Sequence, residues 1–423
     1  MRKVTSMVAL IGFLCVWSLP AMVLASGFAI PEQGAKANAM GGAFAAQADD
    51  PSAVYYNPAG IVQLEGTQIS AGLNTFITGA SFESDGTSVA FTRSKTDADE
   101  GTFLVPSLFA THKMSDRFSL GLGIFSNYGL GTDWPDDWEG RYISGGTFAE
   151  VTTISLNPTV AYKPHEKFSI AAGLVAQYLD LTMENKVPNP FSPFVPGTDL
   201  DLKLTGDDWG YGFNVGLLYW ITDELKFGAS YRSEVKHSVT GADAELTGFP
   251  KDKGETDFDL PSVLYLGLAW TRGAWTVEFD AHMTGWSVYD ELALDFERGA
   301  PLPDTVKPKD WDDTWAYRFG AQYQINDAFA IRAGIVFDEG PIPDETLDPI
   351  VPSGDRWIYT LGGGFHTGAW KIDLNYAYVD DDGGTFDNEV GDYNAAYGGG
   401  GRVTGEFTDV NCHIIGLSVA YRF

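Results

Sequence analysis

Four arginines carry the clearest chemical potential in this sequence. Arg232, Arg318 and Arg332 fall on the inward parity of alternating stretches, and Arg141 lies in a Trp- and Gly-rich loop. A guanidinium is a planar fork that holds a carboxylate through two parallel hydrogen bonds. These four are therefore the candidates for gripping an anionic head group. Arg318 and Arg332 come first, because they fall on adjacent predicted strands. Lys226 shares their parity, and Glu278 and Asp280 face them, so ion pairs across a polar interior are the competing role.

Nucleophilic chemistry is poorly served. The six histidines are His112, His165, His237, His282, His366 and His413, and of these only His282, on the ninth predicted strand near Ser287, invites a catalytic reading. A hydrolase needs a nucleophile beside a base, and one histidine is no such constellation, so the chain reads as not an enzyme. Cys15 and Cys412 are the only cysteines, too few for a metal cluster, and no cofactor is implied.

The elements that must position these side chains begin with a leader. Arg2 and Lys3 precede an apolar run from Met7 to Trp17, and Val23-Leu24-Ala25 offers a small-residue cleavage site. Residues 1–25 read as a signal peptide, with the mature chain starting at Ser26. Beyond it no apolar run reaches the roughly 18 residues of a membrane helix. Yet 14% of residues are aromatic and glycine occurs 49 times. That balance fits a transmembrane β-barrel, whose strands alternate lipid-facing and lumen-facing residues. A net charge of −30 excludes nucleic acid as a partner. The acidic residues read as solvated loops, or as ligands for divalent cations that bridge lipopolysaccharide, and charge pattern alone does not separate the two.

Parity counts the strands. In the last, Ile415, Leu417, Val419, Tyr421 and Phe423 alternate with Gly416, Ser418, Ala420 and Arg422. The same period recurs in fourteen segments, near 67–78, 102–113, 117–127, 149–163, 167–184, 209–220, 224–236, 257–270, 275–289, 314–325, 328–338, 356–366, 369–380 and 409–423. Short turns alternate with long loops, as in outer-membrane barrels, and residues 67–423 are assigned to the barrel. Ahead of it, residues 26–66 are rich in Ala and Gly. Asp50-Pro51 and Asn57-Pro58 each look like an N-cap followed by proline at the first helical position. Two short kinked helices cannot stand alone, so this segment is expected to plug the lumen. Phe28, Ile30, Met40, Phe44, Val54, Tyr55, Asn57, Pro58 and Ile61 would then line or pack it.

The sequence resembles the FadL/TodX family of outer-membrane transporters across essentially the whole mature chain. The resemblance is carried by Gly27-Phe28, Gly41-Gly42-Ala43, Ala48-Asp49-Asp50 and Asn57-Pro58-Ala59-Gly60, then by Tyr128-Gly129-Leu130-Gly131, Trp134-Pro135-Asp136-Asp137-Trp138 and Gly140-Arg141-Tyr142. Further on it is carried by Trp311-Asp312-Asp313-Thr314, Arg332-Ala333-Gly334 and Pro341-Ile342-Pro343-Asp344. It implies passive uptake of long-chain fatty acids or other hydrophobic compounds. Substrate would dock on apolar outer loops, enter a lumen pocket, displace the plug, and leave sideways beside a kinked third strand. Phe191, Phe194 and Val195 in the third outer loop, with Leu246 and Phe249 in the fourth, are the docking candidates, and Asn127, Tyr128 and Gly129 the kink. A terminal Phe resembles the signal read by the barrel insertion machinery, and a monomer is expected. The rival readings are an open diffusion porin and a channel for neutral hydrocarbons, which would need no cation.

Overall fold

The alternating segments become strands of one closed sheet. The computed structural model describes residues 27–85, 94–189, 198–298, 302, 304–387 and 403–423. Fourteen antiparallel strands form the barrel. The first six are Thr67–Ser84, Gly101–Lys113, a broken third strand (Phe118–Phe125 and Gly129–Asp133), Phe148–His165, Phe168–Val187 and Leu200–Trp220. The seventh is also broken (Leu225–Arg232 and Ser238–Leu246), as is the eighth (Asp252–Asp257 and Val263–Arg272). Trp275–Thr284, Thr314–Gln324, Phe329–Asp338, Arg356–Thr367, Trp370–Asp381 and Thr404–Arg422 complete the wall. The first strand pairs with the last, from Gln68 opposite Arg422 to Ser84 opposite Gly405, so the main sheet closes on itself.

Side chains follow the predicted parity. Leu174 is 70% exposed and Tyr211 73%, while Val175 and Asn214 on the same strands are buried. Bare apolar side chains in a full ring suit lipid, not water. Aromatic pairs brace neighbouring strands near the short turns: Phe118 with Tyr162, Trp275 with Tyr323, and Trp370 with Tyr421, at centroid separations of 4.6, 4.8 and 4.7 Å. Tyr178–Trp209 and Phe337–Trp357 do the same toward the long loops.

Two features differ from the sequence reading. Several strands run further outward than expected; the sixth starts at Leu200 because Leu200, Leu202 and Leu204 keep the alternation going among charged residues. The fifth outer loop, expected only as a long loop, carries a hairpin, Glu291–Phe296 with Thr305–Pro308. The leader (residues 1–25) and the third-loop hydrophobes Phe191, Phe194 and Val195 lie outside the described residues.

Residues 27–65 sit inside the ring. The segment forms short helices at Ala35–Asn38 and Ala53–Tyr56 and a 3-10 turn at Pro58–Gln63. Asn57 caps the last as expected, its Oδ1 accepting the Ala59 N–H at 3.1 Å. Asp50 acts one turn before its helix, accepting the Ser52 N–H and hydroxyl at 2.8 and 2.6 Å. Inward glycines make the room. A Cβ on Gly228 or Gly334 would overlap the backbone of Ala45 or of Met40 and Gly41. The wall is bare where the segment's own backbone presses against it.

Candidate functional site

The site starts at the break in the third strand. Between Phe125 and Gly129 the strand leaves the ladder, and the first described residues of the chain fill the place. Ala29 bridges Tyr128, the Ile30 N–H donates to Asn127 O, and the Gly129 N–H donates to Phe28 O, both at 2.9 Å. Asn127 Oδ1 accepts from Ser155 Oγ and Gln177 Nε2 at 2.8 and 2.9 Å. The Tyr128 hydroxyl donates to Pro261 O at 2.6 Å. Of the predicted kink residues, Asn127 and Tyr128 lie in the break, and Gly129 opens the next strand segment. Beside it, the second strand pairs with the third only from Leu108 to Lys113. Gly101 to Ser107 has no ladder partner on that side among the described residues.

Above the break lies an aromatic box. Phe28 is ringed by Trp286, Phe258, Trp311, Tyr289 and Tyr128, with centroids 4.7, 5.3, 5.6, 5.7 and 6.2 Å away. Sequence reasoning placed Phe28 in the lumen but did not join Trp286, Phe258, Trp311 and Tyr289 to it, because they come from the break in the eighth strand and the fifth outer loop and only the fold brings them together.

Next to the box, and sharing Tyr128 with it, is a small cavity of about 30 Å³. Tyr55, Tyr128, Arg232, Tyr265, His282 and Arg318 are among its lining. This volume admits about a water molecule and no organic ligand. Arg232 reaches the Tyr55 carbonyl at 3.4 Å and Asn157 Oδ1 at 3.3 Å, leaving its Nε and Nη1 unpartnered. Arg318 donates to Gly41 O at 2.9 Å, and its Nε is unpartnered. Buried guanidinium nitrogens without acceptors are costly and attract an anion.

The other two candidate arginines, Arg332 and Arg141, are placed elsewhere. Arg332 pairs with Asp373 at 2.7 Å and with Gln322 at 2.6 Å, away from the cavity. Arg141 is committed in the outer loops to Asp199 at 3.1 Å and to the Trp138 carbonyl at 2.7 Å. Arg356, which parity alone would have flagged, lines the cavity and pairs with Asp338 at 2.5 Å. Glu278 and Asp280 do not face these cations as ion-pair partners. They accept four successive backbone N–H groups, from Phe44 to Gln47. His282 lies 3.3 Å from Asp280, whereas the Ser287 N–H goes to Asp313, so the two make no catalytic pair. Leu246 is buried at the end of the seventh strand, and Phe249 is 39% exposed. Ile30, Met40, Phe44, Val54, Tyr55, Asn57 and Ile61 are all buried within the ring.

Residues 16–423 match the family model described as outer membrane protein transport protein (OMPP1/FadL/TodX). The chain belongs to this family. Its members are outer-membrane transporters, not enzymes. Among relatives, the long-chain fatty acid transport protein of Salmonella typhi is 28% identical over 365 residues, spanning 78% of this chain and 82% of that protein. The 47 kDa outer membrane protein of Pasteurella multocida is 28% identical and spans 90% of each. Among solved structures, a Pseudomonas aeruginosa FadL homologue superposes with a TM-score of 0.83 at 20% identity, covering 94% of this chain and all of that one. The Pseudomonas putida toluene transporter TodX does so at 0.69 and 18%, with 94% and 100% covered. At these identities the superpositions speak for the fold.

Proposed function

We propose that this outer-membrane protein carries hydrophobic small molecules inward by diffusion, with residues 27–65 as a movable plug and sideways exit at the third-strand break. The observation that supports this most directly is the pairing of Phe28–Ile30 with Asn127–Gly129. The break is closed by Phe28–Ile30 of the plug segment, so moving them opens lumen and wall together. A cavity of about 30 Å³ requires such a movement before any substrate can pass. A dry path between loops and bilayer spares an apolar molecule exposure to water within the lipopolysaccharide layer. The two relatives named for long-chain fatty acids and toluene bracket the choice of cargo.

The unpartnered nitrogens of Arg232 and Arg318 favour an amphiphile with a carboxylate head over a neutral hydrocarbon. Purified protein exposed to mixed long-chain fatty acids and neutral hydrocarbons, then washed, is expected to retain a fatty acid by mass spectrometry. Arg318→Ala and Arg232→Ala lose it; Arg332→Ala keeps it. Retention of a neutral hydrocarbon, unaffected by these changes, moves the chain to hydrocarbon uptake. A steady open conductance with nothing retained supports a porin instead.

A further inference from the structure

The wall has a second weak seam, between strands six and seven. Strand seven pairs with strand six from Lys226 to Arg232, opposite Trp220 to Asn214, and again from Asp243 to Leu246, opposite Thr205 to Leu202. Between these stretches a Ser233 N–H to Phe213 O bond at 2.9 Å is the last backbone link. From Gly206 to Gly212 strand six has no ladder partner on that side among the described residues. The register changes by two residues across the gap, so strand seven is too long for its neighbour and bends inward.

The bend closes the seam with side chains in place of hydrogen bonds. Strand six turns a nearly bare inner face to it: Gly206, Gly210 and Gly212 around Asp208. Val239 covers Gly206, and Val235 covers Gly210 and Gly212. Asp208 Oδ2 accepts the Ser238 N–H and lies next to His237 Nδ1, both at 3.2 Å, and His237 Nε2 reaches Gln177 at 3.3 Å. Strand eight travels with the bend, since Val235 and Leu260 exchange both backbone bonds and the Phe258 N–H donates to His237 O. Phe258 is a wall of the box around Phe28. One apolar cluster therefore runs from Phe28 through Phe258 and Leu260 to Val235 at the inner face of the seam. Outside it, Trp209, Tyr211 and Phe213 point to lipid, 53%, 73% and 47% exposed.

We infer that this seam is a second lateral portal, through which apolar molecules in the Phe28 box pass between strands six and seven into the bilayer when the Val235 bend swings away. Strands seven and eight move as one paired flap, so opening breaks few backbone bonds: the Ser233 link, the Asp208 contacts and van der Waals packing on glycine. The inference rests on the sideways-exit reading above, and its test separates the two.

A Cβ on Gly212 would lie 2.7 Å from Ser233 Oγ, which puts G212C and S233C within disulfide reach. Ala29 and Tyr128 are opposed between flanking backbone bonds, so A29C with Y128C locks the third-strand exit in the same way. Both pairs are built with C412A and expressed in cells whose own transporters of this family are deleted. Initial uptake of radiolabelled oleate and toluene is read after oxidation and again after reduction. The expected result is a loss of uptake on oxidising the seam pair, restored by reductant, and a remainder under the third-strand lock that the seam lock removes. If the seam lock changes nothing while the third-strand lock stops uptake, the second portal is overturned and the first stands. If neither lock matters, sideways exit falls altogether. As an independent readout, a diazirine-bearing hexadecanoic acid bound in the lumen should label residues 206–212 or 233–239 on illumination; labelling confined to the third-strand break rejects the seam.

Discussion

Asp280 Oδ2 accepts the backbone N–H of Phe44 at 2.9 Å and that of Ala45 at 3.0 Å, deep inside the barrel. One residue pair along the ninth strand, Glu278 takes the next two amides, of Ala46 and Gln47, at 2.6 and 2.9 Å. Four consecutive N–H groups without helix partners are thus satisfied by two carboxylates from the wall. A buried donor left without its acceptor costs about 1–3 kcal/mol. Asp280→Asn replaces an acceptor by an amide that offers donors to donors. The expected outcome is a barrel that still folds, shown by its heat-modifiable gel mobility, but passes ion current in planar bilayers. A current trace as quiet as that of the unchanged chain means the clamp does not hold the segment.

The inward glycines give a second handle on the same seating. Gly320 faces Met40, where an added Cβ would come within 2.5 Å of the carbonyl oxygen, and Gly228 faces Ala45 even more closely. Gly320→Val and Gly228→Val should leave the outer, lipid-facing surface untouched and evict the segment. Overpacking of this kind costs about 1–3 kcal/mol. Limited proteolysis should then cut within residues 27–65 while the barrel stays protected. Gly273→Val, in a short turn with nothing within 4 Å of its added Cβ, is the control: its positive φ brings strain but no eviction.

Acid should loosen the segment from its other end. Burial on its own would raise the Asp49 carboxyl, but Lys36 at 2.6 Å and Lys226 outweigh it and hold its pKa below the usual range. A depressed carboxylate stabilises the state in which it is ionised. Its contribution is complete above the unfolded value of about 3.9 and drains away as pH falls below that. Glu32 and Asp50, both raised by burial and partly offset by nearby cations, act in the opposite sense as pH falls. Measured in an E32Q/D50N background, which removes both opposing groups, closure of the current should be flat from pH 8 to about 5 and weaken below about 4. Asp49→Asn should weaken closure at neutral pH and flatten the acid limb. An acid limb unchanged in Asp49→Asn assigns it to other carboxylates.

The barrel was legible because lipid enforces parity. Leu174, Tyr211 and Leu361 have to point outward, and a period of two survives any detail of packing. The Asn57-Pro58 cap was legible for the same local reason. The partners of Glu278 and Asp280 were not, since their ligands are backbone amides of a segment more than two hundred residues earlier in the chain, and nothing in residue type marks an amide as waiting. Arg318 and Arg332 looked alike in sequence; Asp373 on the thirteenth strand separates them by pairing with only one. The break in strand three was an expectation of the family resemblance, placed at Asn127, Tyr128 and Gly129, whereas the one in strand seven leaves its trace on the neighbour, as Gly206, Gly210 and Gly212 of strand six.

Phe28 should set how often the third-strand break opens. It is 1% exposed, boxed by five aromatic rings, and its carbonyl holds the Gly129 N–H. Removing a buried phenyl ring costs about 3–5 kcal/mol, here taken from the local seating of residues 27–30 because the barrel strands are untouched. Phe28→Ala is therefore expected to speed initial oleate uptake and to shorten retention of bound ligand. Phe28→Leu, which keeps most of the apolar volume, should fall between. Because the same box would hold an apolar substrate, Phe28→Trp should slow uptake by filling it more completely. Rates that do not order as Ala above Leu above the unchanged chain show that the ring only packs, and place the gate elsewhere in the segment.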